Sequence, residues 1–242
     1  MKNTIMTKPR QAIIDIHSHV IHCVDDGSKS VEASLAMISQ ESSAGVTDII
    51  CTPHYRKGFF ETEKQVILSR FDELKKASEN LGVSLHLGQE IAVKNVFAED
   101  VAKGKCFTMA NSDYVLLEFD YNNPVDITDV CYDYKYCGLI PIIAHVERYN
   151  YVGVREVEDI IEVGGLIQIN SSSVVAKKFS KYRSKVDKYL KHNLVHFVAS
   201  DNHSNRSFDL ASAYEAIRKK YGEERARDLF ESNARKILNS SK

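Results

Sequence analysis

The chain has 242 residues, of which 43% are hydrophobic and 27% are charged. This length suits a single α/β domain that buries its core without disulfides or a structural metal. The formal net charge is −1, and we recognise no basic stripe, so electrostatics favours neither nucleic acid nor an anionic membrane as a partner. We expect a polar tail over residues 1–11 and one domain over residues 12–242.

Targeting and cysteine patterns indicate a cytoplasmic protein. No apolar run reaches the roughly 18 residues of a membrane span, and the N-terminus lacks the apolar stretch of a signal peptide. The five cysteines are odd in number and show no C-x-x-C spacing, which is typical of a reduced compartment. The sequence therefore predicts a cytoplasmic protein without membrane insertion.

Short apolar segments, most of them preceded by Gly or Asn, predict seven strands. Gly or Asn suits the left-handed position that ends a helix, and the Val and Ile content suits a strand buried on both faces. In chain order the segments cover residues 13–17, 45–54, 82–90, 114–118, 138–145, 165–170 and 193–201.

Helical patterns lie between these strands. Apolar residues recur at helical spacing over 31–38, 67–81 and 210–221, and Thr62 with Gln65 predicts a capping box before the second stretch. Strands that alternate with helices indicate parallel βαβ units.

Polar residues close nearly every predicted strand. An open doubly wound sheet would place its site mainly at one switch point, whereas a barrel collects residues from many strands at its carboxyl-terminal mouth. The strand-closing residues are His17, His19, His54, Glu90, Glu118, His145, Asn170, Asp201 and His203. We therefore predict an α/β protein with a (β/α) barrel of the TIM type.

These residue types predict a metal centre. His17 and His19 point to the same side because side chains alternate along a strand. On its own, an H-x-H pair is as consistent with two core or surface histidines as with a metal site. The strand-closing carboxylates favour the metal site, because carboxylates that cluster together need cations to balance their charge. The His, Asp and Glu set suits Mn²⁺, Fe²⁺, Mg²⁺ or catalytic Zn²⁺, and eight or nine ligands predict two or three ions. We expect His86 and His196 to be core histidines.

Several motifs occur together and in order along most of the chain. They are D-I-H-S-H (15–19), D-D-G (25–27), T-P-H (52–54), E-I (90–91), L-L-E-F (116–119), A-H-V-E-R-Y (144–149) and A-S-D-N-H (199–203). The chain resembles the PHP (polymerase and histidinol phosphatase) superfamily, and within it the manganese-dependent tyrosine phosphatases of capsular and exopolysaccharide operons in Gram-positive bacteria. The resemblance implies a distorted seven-stranded (β/α) barrel and three metal ions.

The resemblance also implies a ligand set for each ion. The first set is His17, His19, Glu90 and Asp201; the second is Glu90, Glu118 and His145, with Glu90 bridging; the third is Asp26, His54 and His203. The expected substrate is a phosphotyrosine protein, a bacterial tyrosine autokinase that regulates polysaccharide synthesis. Asp25 is the alternative to Asp26, and His22 is left outside the metal ligands.

The predicted chemistry is attack by a metal-bridged hydroxide. Arg148 and Arg206 are candidate phosphate holders, with a surface ion pair as the alternative for each. Asp201 or His203 is a candidate proton donor to the leaving phenolate.

The segment Y-R-K-G-F-F (55–60) follows His54. Tyr55, Arg56, Phe59 and Phe60 are candidate substrate-binding residues that form an aromatic, cationic rim. Alternatively, the two phenylalanines pack against the next helix.

Other functions remain open at this point. A cysteine-based phosphatase is excluded because no cysteine is followed by Arg six residues later. A histidinol-phosphate or other small-molecule phosphatase, a non-catalytic metal-bound regulatory module and a metal-dependent amidohydrolase remain alternatives.

Overall fold

The computed structural model describes residues 12–242, so the predicted polar tail over residues 1–11 lies outside the described residues. Within this range strands alternate with helices. The strands are β1 (Ile13–Ser18), β2 (Val46–Cys51), β3 (His54–Tyr55), β4 (Ser84–Leu87), β5 (Glu90–Ala92), β6 (Tyr114–Glu118), β7 (Ile140–Ile143), β8 (Leu166–Asn170) and β9 (Phe197–Ala199). The helices are α1 (Val31–Ser43), α2 (Lys64–Ala77), α3 (Ala98–Ala102), α4 (Ile127–Tyr136), α5 (Val154–Glu162), α6 (Ser171–Val175), α7 (Lys181–Lys191), α8 (Leu210–Tyr221), α9 (Glu223–Arg227) and α10 (Asn233–Asn239).

All seven predicted strands are present, but two of them are broken. The segment 45–54 forms β2 and β3, and the segment 82–90 forms β4 and the start of β5. One sheet has the order β1-β2-β4 and the other has the order β3-β5-β6-β7-β8-β9, and the strands pair in parallel. The two curled sheets form the distorted (β/α) barrel, so the predicted fold class is confirmed.

The breaks lie around Pro53 and Gly88. Pro53 lacks the N–H that a continuing ladder needs. A Cβ at Gly88 would lie 3.0 Å from Met109 Sδ and 3.1 Å from Ile50 Cγ2, so a larger residue here would require these two side chains to shift. After the breaks, His54 and Glu90 pair with each other in the second sheet. The distortion therefore places two candidate ligands side by side.

The first and last strands meet at their carboxyl ends. The Asp201 amide donates to the His17 carbonyl at 2.8 Å, and the His19 amide donates to the Asn202 carbonyl at 2.9 Å. Ser18 and Asn202 form an isolated parallel bridge. These bonds close the barrel mouth and bring residues from both ends of the described chain together.

Apolar side chains fill the barrel and cover its outside. The interior cluster contains Ile14, Ile16, Ile50, Leu116, Ile142 and Phe197, with Ala234 and Ile237 of α10 packed against them. A larger cluster lies between the strands and the helices, and it includes Ile13, Ile49, Leu117, Ile143 and Ile167. Burial on both faces explains why the strands are continuous apolar runs.

The predicted capping box before α2 is wrong. The N-cap position is Glu63, and no side chain caps this helix. Thr62 instead donates its hydroxyl to the Val24 carbonyl at 2.8 Å, which ties the helix entry to the loop after β1. A contact between distant segments has replaced the local hydrogen bond that the sequence pattern favours.

Candidate metal centre

The nine predicted metal ligands converge at the carboxyl-terminal mouth of the barrel. They form four overlapping groups in which the ligand atoms lie within 4.8 Å of one another. The groups are His19 with Asp26, His54 and His203; His17 with His19 and Asp201; His17 with Glu90 and His145; and His54 with Glu90 and Glu118. The overlap of the groups suits several ions that share ligands.

Glu90 lies at the centre of the cluster and is fully buried. Its Oε2 atom is 3.2 Å from His17 Nε2, 3.3 Å from His19 Nε2 and 3.0 Å from His54 Nδ1. Its Oε1 atom is 2.8 Å from His145 Nε2. Burial opposes ionisation, but the His17 and His54 imidazoles hold the pKa of Glu90 well below its usual range. Both oxygens face imidazoles, as the predicted bridging role requires.

Hydrogen bonds behind the cluster orient the first two imidazoles. His17 Nδ1 lies 3.2 Å from Gln168 Oε1, and His19 Nδ1 lies 2.7 Å from Asp25 Oδ2. Because both partners are acceptors, a proton is held on each Nδ1, and each Nε2 faces the cluster, where its lone pair is available to a metal ion once any proton on Nε2 has left. The two Nε2 atoms lie only 3.2 Å apart, which places both lone pairs at one point in the cluster.

Among the nine candidate ligands, four buried atoms make no hydrogen bond within residues 12–242: His54 Nδ1, Glu90 Oε2, His203 Nε2 and His145 Nδ1. A buried polar atom without a hydrogen bond costs about 1–3 kcal/mol, and divalent cations would satisfy the first three, which face other candidate ligands. The candidate metal-coordinating atoms are imidazole nitrogens and carboxylate oxygens, with no sulfur among them. This combination suits Mn²⁺ and similar ions. The residues present therefore fit divalent metal ions.

The two adjacent aspartates after β1 have different environments. Asp25 is buried, and its Oδ2 accepts hydrogen bonds from His19 Nδ1 at 2.7 Å and from the His54 amide at 2.9 Å. Burial opposes its ionisation, but the His19 imidazole lowers the pKa of Asp25 to about 2. Asp26 Oδ1 instead faces His54 Nε2 at 3.5 Å and His203 Nε2 at 3.4 Å. Asp26 lies at the third group of ligands, whereas Asp25 orients an imidazole from behind.

Asp201 directs one carboxylate oxygen toward the cluster and the other toward two arginine side chains. Its Oδ1 is 3.7 Å from His17 Nε2 and 3.6 Å from His19 Nε2. Its Oδ2 pairs with Arg206 Nη1 at 2.8 Å and with Arg148 Nη2 at 3.0 Å. Both predicted phosphate-binding arginines therefore reach the centre and meet at one carboxylate oxygen.

The predicted proton donors are deprotonated near neutral pH in this environment. Burial opposes ionisation of Asp201, but His17 and Arg148 hold its pKa well below the usual range. Burial and the neighbouring His19 lower the pKa of His203 to about 4. At neutral pH these shifts favour an ionised Asp201 and a neutral His203, whose remaining ring N–H is a much weaker acid than an imidazolium, so neither residue is a strong general acid in this environment.

A pair of buried amides links the candidate ligands, and the sequence analysis missed its role. Gln168 Oε1 accepts from the His145 amide at 2.7 Å, and Gln168 Nε2 donates to Asn170 Oδ1 at 2.8 Å. Asn170 Nδ2 then donates to Asp201 Oδ2 at 2.8 Å. Residues 168 and 170 lie on the same side of β8 because side chains alternate along a strand. The two polar residues at this spacing are the signal in the sequence that would have identified the pair.

The predicted substrate-binding residues divide into two groups. The Phe60 ring stacks on the His54 imidazole with centroids 5.4 Å apart, and the Arg56 guanidinium lies 4.8 Å from the Phe59 ring centroid. Phe59 is 75% exposed, while Tyr55 packs against the hydrophobic core. Arg56, Phe59 and Phe60 therefore form a rim beside the cluster, and Tyr55 supports it from below.

A cavity of about 540 Å³ opens beside Glu118 and shares Arg56 with the rim. Its walls include Arg56, Val93, Lys94 and Tyr121. The Tyr121 hydroxyl donates to Glu118 Oε1 at 2.7 Å, and its ring meets the His145 ring edge to face. Tyr121 thus holds a candidate ligand at the cavity entrance, a position that no motif indicated.

The remaining histidines lie outside the cluster. His86 Nε2 is 3.0 Å from Asp48 Oδ1, and His196 Nδ1 accepts from the Ile167 amide at 3.1 Å. Burial lowers the pKa of His196 to about 4, as expected for a neutral core imidazole. His22 is buried against Glu73 at 3.4 Å.

Comparison with known proteins identifies the family. The family model described as "Capsular polysaccharide synthesis, CpsB/CapC" matches residues 13–239. The chain belongs to the CpsB/CapC family. The family predicted from the motifs is thereby confirmed.

Two relatives that are named tyrosine-protein phosphatases match along most of their length. "Tyrosine-protein phosphatase CpsB" of Streptococcus agalactiae is 36% identical over 238 residues, which cover 93% of this chain and 98% of the relative. "Tyrosine-protein phosphatase YwqE" of Bacillus subtilis is 30% identical over 224 residues, which cover 88% of this chain and 86% of the relative.

Solved structures agree with this membership. One match comes from a study of YwqE from Bacillus subtilis and CpsB from Streptococcus pneumoniae, described as "unique metal-dependent tyrosine phosphatases". It has a TM-score of 0.87 and 28% identity, and the match covers 95% of this chain and 96% of the other. An amidohydrolase from Mycoplasma synoviae has a TM-score of 0.62 at 13% identity, a likeness of fold alone.

Proposed function

We propose that this CpsB/CapC member is a metal-dependent protein-tyrosine phosphatase. The observation that carries the proposal is the convergence of nine His, Asp and Glu side chains within overlapping groups at the barrel mouth. Relatives that cover most of the chain are named tyrosine-protein phosphatases, and the similar solved structure is described as metal-dependent. The reaction class is hydrolysis of a phosphomonoester of tyrosine.

The proposed cofactor is two to three divalent ions, with Mn²⁺ as the native metal. One ion would bind His17, His19, Glu90 and Asp201; a second would bind Glu90, Glu118 and His145; a third would bind Asp26, His54 and His203. The central position of Glu90, with each oxygen facing a different set of imidazoles, supports its role as the bridge. When bound, the ions would neutralise phosphoryl charge and supply a water acidic enough to act as nucleophile.

The residues of this chain bind and orient the phosphoryl group. The Arg148 and Arg206 guanidinium groups converge at the edge of the cluster, where each can donate to phosphoryl oxygens. Phenolate, with a pKa near 10 in solution, leaves without a strong acid. This suits a site in which Asp201 and His203 are held deprotonated.

The cysteines support a mechanism without a thiolate nucleophile. Burial raises the pKa of Cys106 and of Cys131 to about 12, and it also raises the pKa of Cys51. Cys23 is exposed, but its thiol donates to the Lys29 carbonyl at 3.0 Å. The three buried thiols therefore lie in environments that disfavour the thiolate.

The proposed substrate is phosphotyrosine on a cytoplasmic protein, a bacterial tyrosine autokinase that controls polysaccharide export. Arg56, Phe59 and Phe60 would flank the phenyl ring, and the adjoining cavity beside Glu118, which Arg56 also lines, offers space for it. The cations at Arg56 and Lys94 suit an acidic peptide. No helix within residues 12–242 is long and apolar enough to cross a bilayer.

Substrate and metal dependence test the proposal together. Protein purified without chelator is expected to contain two to three divalent ions per chain, and EDTA should abolish turnover that Mn²⁺ restores best. Phosphotyrosine and phosphoserine peptides of identical sequence, and histidinol phosphate, are then compared by kcat/KM. A preference for phosphoserine or histidinol phosphate would refute the tyrosine assignment, and full activity after exhaustive chelation would refute the metal centre.

A matched pair of histidine variants tests the centre itself. His145→Ala removes a candidate ligand and should reduce turnover by orders of magnitude while the barrel stays folded. His86→Ala removes a histidine whose side chain pairs with Asp48, outside the cluster, and it should keep near wild-type turnover. Equal effects of the two changes would contradict the ligand assignment.

A further inference from the structure

A strongly basic segment lies within this nearly neutral chain. Residues 177–191, called here the basic segment, contain seven Lys and Arg residues and a single acidic residue, Asp187, whereas the whole chain has 32 basic and 33 acidic residues. The basic residues are Lys177, Lys178, Lys181, Arg183, Lys185, Lys188 and Lys191. The expectation that the chain has no basic stripe is therefore wrong, because the overall balance conceals a local excess of charge.

The basic segment begins on the same face as the metal centre. Helix α6 follows β8 directly, and β8 ends at Asn170, which bonds to Asp201. The chain then turns over residues 176–180 and enters α7. The Lys181 side chain donates to Asn150, which follows the Arg148 turn. The first residues of the segment are thus part of the barrel mouth.

Most cations of this segment are free to meet a partner. Asp187 is already paired with Arg183 at 2.9 Å and with Lys220 of α8 at 2.9 Å. Lys177, Lys178, Lys188 and Lys191 are exposed. Within residues 12–242 no carboxylate forms an ion pair with any of these four.

Aromatic side chains project from among these cations. Phe179 lies directly after Lys177 and Lys178 and is 96% exposed, and Tyr182 is 40% exposed. The apolar side of α7, in contrast, is buried against the barrel through Val186 and Leu190. The exposed rings therefore do not belong to the protein core. Transfer of the Phe179 ring from water to an apolar environment would be favourable.

We propose that the basic segment docks the protein on the surface of an anionic lipid bilayer. Lysines at the mouth would lie against the anionic headgroups, and the Phe179 ring would enter the apolar boundary beneath them. An acidic protein would form ion pairs with the lysines. It would not, however, provide an apolar layer for the exposed Phe179 ring. Docking in this way turns the metal centre toward the membrane surface, and it does not depend on the proposed phosphatase activity.

Vesicle flotation of the full chain tests this proposal. Vesicles of phosphatidylcholine alone are compared with vesicles that also contain phosphatidylglycerol, at low and high salt. We expect binding only to the anionic vesicles and loss of binding at high salt, because the attraction is screened. Lys177→Glu with Lys178→Glu should lower the bound-to-free ratio by about tenfold or more, and Phe179→Ser should lower it severalfold.

The matched control reverses two other adjacent exposed lysines, Lys75 and Lys76 on α2. Lys75→Glu with Lys76→Glu carries the same net charge as the test variant and should bind within about twofold of the unchanged protein. Circular dichroism confirms that each variant is folded. Equal losses in the two double variants, absence of binding to anionic vesicles, or binding to an acidic polypeptide but not to vesicles would each overturn the proposal.

Discussion

At the scale of single residues, Asp201 joins the candidate metal cluster to the two arginines that we propose bind phosphate. One carboxylate oxygen faces the His17 and His19 imidazoles, and the other accepts from Arg148, Arg206 and Asn170. Because three donors hold the second oxygen, loss of one arginine leaves two partners in place. We therefore expect mutation to separate the proposed binding of metal from the proposed binding of phosphate.

Arg148→Ala is expected to lower kcat/KM for a phosphotyrosine peptide by an amount equivalent to about 2–4 kcal/mol, as loss of a charged donor to a transition state does. Metal content should be retained, since Arg206 and Asn170 still hold Asp201. Arg155→Ala, which removes an exposed arginine on α5, is the control and should have little effect. Loss of metal rather than of turnover would show that Arg148 supports the ligands instead of the substrate.

Gln168 is a positioning residue at the same scale. It contacts His17 Nδ1, the His145 amide and Asn170, and it has no access to solvent. His145 and Asp201 have positive φ angles of 32° and 52°, which are strained for residues other than glycine. The amide pair of Gln168 and Asn170 bonds to both strained residues and so helps to hold them in position.

Gln168→Leu should weaken Mn²⁺ binding by about 10–100-fold, because His17 loses the acceptor that fixes its tautomer. Isothermal titration of the metal-free protein measures the affinity directly. Saturating Mn²⁺ should recover much of the turnover, since Gln168 does not touch the reacting groups. An unchanged affinity would exclude the positioning role.

At the scale of elements, a buried carboxyl supports the junction of β1 with the loop after β9. Glu41 of α1 accepts from the Ser18 hydroxyl at 2.9 Å and from Asn202 Nδ2 at 2.9 Å. Its other oxygen has no hydrogen bond within residues 12–242. Burial and the adjacent Asp15 raise the pKa of Glu41 well above its ordinary value. The neutral form is therefore the one that the fold favours.

A carboxyl with a raised pKa stabilises the folded state at low pH, and this contribution is lost as the pH rises through the folded pKa. Glu41→Gln keeps both accepted hydrogen bonds and removes the ionisable group. We expect the free energy of unfolding at pH 8 to increase by about 1–2 kcal/mol, with the difference vanishing near pH 4.

Denaturant unfolding at the two pH values measures the effect. Glu41→Leu serves as the comparison, because it leaves the Ser18 and Asn202 donors without an acceptor and should destabilise at both pH values. A decrease in stability for Glu41→Gln at pH 8 would contradict a neutral Glu41.

At the scale of the whole molecule, the metal centre is a cluster of charges that protons or metal ions can balance. Burial opposes protonation of His19 and His54, but Asp25 raises the pKa of His19 to about 9 and Glu90 raises the pKa of His54 to about 9. Protonated imidazoles thus offset the carboxylates when no metal is bound, and metal binding must release these protons.

The thermal stability of the metal-free protein should therefore depend on pH. Because these histidine pKa values lie above the unfolded value of about 6.5, their stabilising contribution is present below that pH and is lost as the pH rises toward about 9. With EDTA, Tm should fall between about pH 6.5 and 9. Saturating Mn²⁺ should raise Tm and reduce this fall, since the ions replace the lost protons. A Tm in EDTA that stays level over this range would contradict the charge balance proposed here.

The sequence by itself determined the barrel, the family and the candidate ligands. Apolar runs that end in polar residues specify strands and their carboxyl ends locally, through side-chain alternation and burial. That pattern needs no knowledge of distant contacts. All nine predicted ligands consequently lie together, from His17 to His203.

The tertiary structure alone decided the features that depend on distant neighbours. Gly88 packs closely against Met109 at one of the strand breaks, and the hydroxyl of Thr62 bonds to Val24 instead of capping α2. The different roles of Asp25 and Asp26 depend on where His19 and His54 lie. Each of these outcomes rests on a contact between segments that are separate in the chain, and local spacing carries no information about such contacts.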